Sequence, residues 1–270
     1  MGGYLMHGGN VLILLQVSEF IIIGGAGIGS FVVANTPATI KATISGVIGT
    51  LKGSGMNKEV YLDLLRLMYE TFQLAKKEGL IGLEQHIENP TSSSIFSKYS
   101  TFLNNHHAVD FFCDTLKVVL NGGVANHDLE DMMELDLETM HHEETKAPTA
   151  LNTVADAFPG IGIVAAVLGV IITMGKIDQP AEVIGHSVSA ALVGTFLGIL
   201  LSYGFVGPLV KNMEENIDAG SKYMAAIKSG VLSFVKGAPP IVAVEYARRA
   251  IPLEARPSFA ETEEAVKQAR

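Results

Sequence analysis

The chain has no tryptophan and a single cysteine, Cys113, so neither an internal disulfide nor a cysteine-built zinc or iron–sulfur site can form within one copy. Charge is scarce as well: Asp, Glu, Lys and Arg make up 17% of the 270 residues, against roughly a quarter in an ordinary soluble domain. The balance is acidic, 28 Asp and Glu against 19 Lys and Arg, which argues against a nucleic-acid binder. H-E-x-x-H, G-x-S-x-G and P-loop patterns are all missing. Gly160–Ala165 fits G-x-G-x-x-A, but it lies inside a hydrophobic run rather than between a strand and a helix. His106-His107 and His141-His142-Glu143-Glu144 sit side by side in sequence, where helical neighbours point in different directions, and read as solvated polar stretches. No enzyme, metal or cofactor is expected.

Apolar residues are what the chain has in excess, at 48%. Four runs carry no Asp, Glu, Lys or Arg: 1–18, 20–40, 157–175 and 183–210. A helix needs about 20 such residues to cross a bilayer. The last two runs qualify and the second does so marginally. The first is interrupted by Gly2, Gly3, Gly8, Gly9 and Asn10 and lacks the basic start and cleavage site of a signal peptide. It reads as the end of one hydrophobic helix, a turn at Gly8–Asn10 and the start of the next, as if a helix were cut off at its beginning.

Eighteen of the 19 Lys and Arg lie in 41–146 and 211–270, and only Lys176 lies between the last two runs. Basic loops stay in the cytoplasm. The expected order is a truncated first and complete second span in 1–40, a cytoplasmic insert in 41–156, a second hairpin of spans in 157–210 and a cytoplasmic tail in 211–270. In the insert, Val60, Leu64, Leu67, Met68, Phe72 and Leu74 recur at helical spacing within 57–87, loosened by Gly79 and Gly82 and stopped at Asn89-Pro90. Further helices are expected at 110–120, at the acidic stretch 128–144, at 211–235 and at 241–250. No period-two pattern is long enough for a sheet, so the fold class is all-α.

Small residues recur every four positions at Ala190, Gly194, Gly198 and Ser202, at Ala165 and Gly169, and at Gly25 and Gly29. Such stripes let helices approach closely in a bilayer, within one chain or between subunits. Pro159 is expected to open the third span as an ordinary first-turn proline, and Pro208 to kink the fourth. The two clean spans carry no acid or base except His186 near the outer end, and Thr195 is the main hydroxyl at mid-depth. If the chain helps to move protons, another polypeptide must supply the titrating carboxylate.

The segments GGAGIGSFVVAN (24–35), GLEQHIENP (82–90), FPGIGIVAAVLGV (158–170), LVGTFLGILLSYGFVGPL (192–209), APPIVAVEYARRAI (238–251) and RPSFAETEE (256–264) closely resemble the MotA family of flagellar motor stator subunits. The resemblance implies four membrane spans, so that the sequence starts inside the first of them, with a misassigned start at Met1 as the expected cause. It implies a pentameric ring in the bacterial inner membrane around a MotB-type partner that carries the proton-binding Asp, and a cytoplasmic face that pushes on the rotor protein FliG. Pro159 and Pro208 take the places of two prolines that matter for torque, and Thr195 the pore-facing side. Ala166 stands where sodium-driven relatives often have threonine, which favours protons over sodium as the coupling ion. The rotor contact falls on Glu84 and, with lysine in place of the family's arginine, on Lys76. An ExbB- or TolQ-type energiser and, from another class, a passive membrane scaffold are the alternatives.

Overall fold

The computed structural model describes residues 2–9 and 11–268, with Leu12 by its backbone alone. Among these residues every regular element is helical. In chain order they are α1 (Gly2–Met6), α2 (Val11–Leu14), α3 (Val17–Ala34), α4 (Pro37–Thr50), α5 (Lys58–Glu78), α6 (Glu84–Glu88), α7 (Ser100–Leu103), α8 (His106–Asn121), α9 (Asn126–Met174), α10 (Ala181–Ile199), α11 (Gly207–Val235), α12 (Pro240–Ala250) and α13 (Phe259–Gln268). The chain divides into two compact units: the residues up to Lys52 with Thr145–Glu215, and Gly53–Glu144 with the residues from Asn216 on. The expected boundaries at 40/41, 156/157 and 210/211 fall inside α4, α9 and α11.

The first unit holds the hydrophobic runs. Three helical stretches are long and apolar enough to cross a membrane: Val17–Ala34, Asn126–Met174 and Ala181–Val235. The run 20–40 is not one span, as its lack of charge suggested. Its helix starts earlier, at Val17, and ends at Ala34, because Asn35 and Thr36 are extended. The Thr36 hydroxyl then caps α4 by accepting from the Thr39 N–H, with Pro37 at the first helical position. Ahead of α3 lie only two short pieces, α1 and α2, with Gly8 in the left-handed region at φ 74° between them. Asn10, the end of the expected outward turn, lies outside the described residues. The core of this unit joins Ile23 of α3, Val154, Phe158 and Ala165 of α9, and Val193 and Leu197 of α10.

The second unit is built around α5, whose Tyr61, Leu64, Leu65, Met68 and Phe72 are fully buried against α8, α11 and α12 residues such as Phe112, Tyr223, Ile227 and Val244. Phe72 stacks on Phe234 at 4.4 Å, and Phe96, Phe102 and Phe112 meet edge to face. The helix expected within 57–87 ends earlier than the stop read at Asn89-Pro90, at Gly79, where φ is 79°. Ser93 caps the turn at 96–98 by accepting from the Ile95 and Phe96 N–H groups. Cys113 is buried in this core, and burial pushes its thiol up to about 12.

Candidate functional site

Glycines set the geometry of the first unit. A Cβ added to Gly162 would lie 2.7 Å from the Gly194 carbonyl oxygen and 3.1 Å from the Gly198 Cα; one added to Gly198 would lie 2.5 Å from the Phe158 carbonyl oxygen. Gly169 faces Ala191 as closely, at 2.7 Å. The α9 and α10 backbones therefore approach closely at Gly162, Gly194 and Gly198, where an added side chain would clash. Gly194, Gly198, Ala165 and Gly169 belong to this intrachain seam, and Ser202 is buried just beyond it. Gly25 and Gly29 have open space around them, and Gly27 between them is the glycine that packs, against the Phe158 ring. Ala190 is half-buried.

This seam brings the expected ion-path residues together. Gly194 lies against Ala165 and the backbone of Ala166, so Thr195, its neighbour, and Ala166 share one slice of the hairpin. Both are half-buried, and Thr195 makes no hydrogen bond within the described residues. Pro159 lies about 10 Å below Ala166 along α9.

Pro159 departs from the role its position suggested. Pro159 does not start a helix: α9 runs from Asn126 to Met174 through Pro148 and Pro159. A proline inside a helix has no N–H to give the carbonyl four residues back, here that of Ala155. At Pro208, the expected site of a kink, the helical register changes. Leu200–Val206 forms a π-helix, and the Gly207 N–H reaches back five residues to the Ser202 carbonyl before the proline follows. The wider turn absorbs the misfit of the ring with the preceding carbonyls, and π turns of this kind cluster at functional sites.

A third departure concerns charge. Glu19 divides the runs 1–18 and 20–40. The structure puts it inside α3, 4% exposed, with Oε2 buried and without a hydrogen-bond partner. That oxygen lies 2.7 Å from where a Gly194 Cβ would be. A buried carboxylate therefore lies in the candidate span α3 of this chain, beside two further spans whose charge-free runs carry none. Glu19 is the sole Asp, Glu, Lys or Arg among the first forty residues, and that isolation is the signal in the sequence that marks it.

In the second unit, Lys76 lies in the last turn of α5 and Glu84 at the first position of α6, on either side of the Gly79 turn. Both are exposed, and neither forms an ion pair among the described residues. Their neighbours are paired: Glu70 accepts from the Lys98 ammonium at 2.6 Å and the Tyr99 hydroxyl at 2.7 Å. Glu245 takes a two-pronged grip from Arg248 and a third bond from Arg249, at 2.7–2.8 Å, which holds its carboxyl down at about 2.

Two family models match the chain: motility protein A N-terminal over residues 1–79, and the MotA/TolQ/ExbB proton channel family over 104–226. Motility protein A of Escherichia coli is 40% identical over 98% of this chain and 90% of its own length. The chain belongs to the motility protein A family. The Salmonella typhimurium protein of that name is 39% identical over the whole chain, and the chemotaxis protein LafT of Vibrio parahaemolyticus is 34% identical over 97% of it. The fold matches a solved structure of C. jejuni MotAB with a TM-score of 0.76 at 20% identity, covering 95% of this chain and 92% of that one. It matches the flagellar MotAB stator complex from Bacillus subtilis with a TM-score of 0.68 at 23% identity, covering 99% and 95%.

Proposed function

We propose that this chain is a stator subunit of the bacterial flagellar motor, a multi-pass protein of the inner membrane that couples proton flow to torque and catalyses no reaction. The observation that carries this reading is the seam of α9 and α10, which gathers Ala166 and Thr195 in one slice of a family fold whose members are motility proteins. Between 17% and 33% of each candidate span is covered within the chain, and Leu192, Phe196, Ile199, Tyr203 and Phe205 are exposed along one run. That uncovered surface suits a ring of five copies around the helices of a MotB-type partner, whose Asp is the main proton carrier. Pro159 and Pro208 bracket the path, and Lys76 and Glu84 face the rotor protein FliG. Ala166 lacks the hydroxyl oxygen that a sodium site would use, so protons are the coupling ion. The match of residues 1–79 to the motility protein A N-terminal model supports this reading over an ExbB- or TolQ-type energiser, and the π segment before Pro208 over a passive scaffold.

Deleting the gene should abolish swimming, and supplying the chain with its partner should restore it. Swimming speed should follow the proton-motive force and ignore external sodium. A steep sodium dependence would remove Ala166 from the argument, and undiminished swimming in the deletion strain would remove the function itself.

A further inference from the structure

The mechanism above makes no use of Glu19, yet it is the most unusual polar side chain in the first unit. Among the described residues it holds the one fully buried side-chain oxygen without a hydrogen-bond partner. It lies deep: Gly194, against which it is seated, is about 20 Å along α10 from its start at Ala181. Among the described residues no counter-charge faces it. The α2 helix, which packs on α10, is aliphatic; α4 carries Lys41, exposed and 22 residues on; α10 carries Glu182 and His186, both exposed and about 12 Å or more along the helix from Gly194. On α9 the titratable groups of this unit are Lys146 and Asp156, the latter exposed, bonded to Asn152 and over 10 Å along the helix from Ala165. A bare carboxylate in such a place is very costly, and something must neutralise it. Its buried oxygen shares the space beside Gly194 with the Ala165 methyl and the Ala166 backbone nitrogen.

We propose that Glu19 is a proton-binding site of this subunit itself, seated in a window that only glycine at position 194 leaves open. The proton neutralises the carboxyl where α3 meets α10, in the same slice as Ala166 and Thr195. Its loss would set a full charge against the α10 backbone and part the two helices there, so occupancy of the site is tied to the position of the fourth span. The proposal rests on the stator reading only for its link to the ion path; the burial of Glu19 stands without it.

The test is infrared spectroscopy of the intact complex with its partner in lipid vesicles, with glutamate carbon-13 labelled. The wild type should show at neutral pH a carboxylic-acid carbonyl band that shifts in heavy water, and Glu19→Gln should delete it. Glu19→Asp, which keeps an acid, should move the band and covers the case in which the glutamine variant does not assemble. Gly194→Ala, which forces the oxygen aside, should shift it too. Wild-type and Glu19→Gln spectra that superpose would overturn the proposal, as would an ionised carboxylate at neutral pH whose bands respond to sodium. The readout involves no swimming, so the stator reading and this one can fail separately.

Discussion

Glu245 shows how a single side chain ties down the tail. Its carboxylate, a fifth exposed, binds Arg248 through both oxygens, and Arg248 also donates to the Pro257 carbonyl oxygen. Arg248 is the main reason that the carboxyl sits at about 2, below its ordinary 4.5, with Arg249 adding to the effect. A carboxyl lowered on folding stabilises the fold above its ordinary value and loses that contribution as pH falls through 4.5 toward 2. Glu245→Gln should cost ~2 kcal/mol at neutral pH, the worth of hydrogen bonds to a charged group. Thermal melting of the solubilised protein from pH 7 down to 2 checks this: the two curves should converge at the acid end, and a gap that persists there would dissociate the effect from ionisation. At this scale the sequence was least legible. Arg-Arg following Glu245 marks an ion pair only once α12 is known to be a helix, and Glu19 was hidden because burial is not written in a residue's type.

At the scale of elements, period and punctuation were readable and hydrogen-bond register was not. The spacing of Leu64, Leu67, Met68 and Phe72 gave α5, while its end at Gly79 reads in the sequence only as a loosening, with the stop placed at Asn89-Pro90. The π turns over Leu200–Val206 and the passage of α9 through Pro159 depend on what neighbouring helices tolerate, and composition does not express that. The glycine stripes were legible as close contact, though not which of them close on the same chain: Gly162, outside the expected stripes, is central, and a side chain added at Gly25 or Gly29 would meet open space among the described residues. Pro159→Leu restores an N–H to α9 and fills the space beside the seam. It should leave the amount of subunit in the membrane unchanged and reduce swimming to near zero, measured by immunoblot of membranes and by tracking of cells. Normal speed in that variant would take Pro159 out of the mechanism.

For the whole molecule, two compact units divide the labour. One carries the long apolar runs, the other an aromatic core with charged residues outside it. Glu84 and Lys76 belong to the second, exposed on either side of one turn and free of ion pairs among the described residues, as a docking charge should be. Reversing one such charge acts chiefly on encounter, so Glu84→Lys should slow engagement with the rotor about tenfold in dilute medium and less at high salt. Counting fluorescent stator units at motors across ionic strength tests this, and recruitment that is equal to wild type at every salt concentration would reject the contact.

The lone cysteine adds a practical dividend. With Cys113 sealed in the aromatic core and its sulfur kept as the unreactive thiol, the native protein is already a blank for maleimide chemistry. A dye or crosslinker can be placed at any chosen surface position by adding one cysteine and removing none.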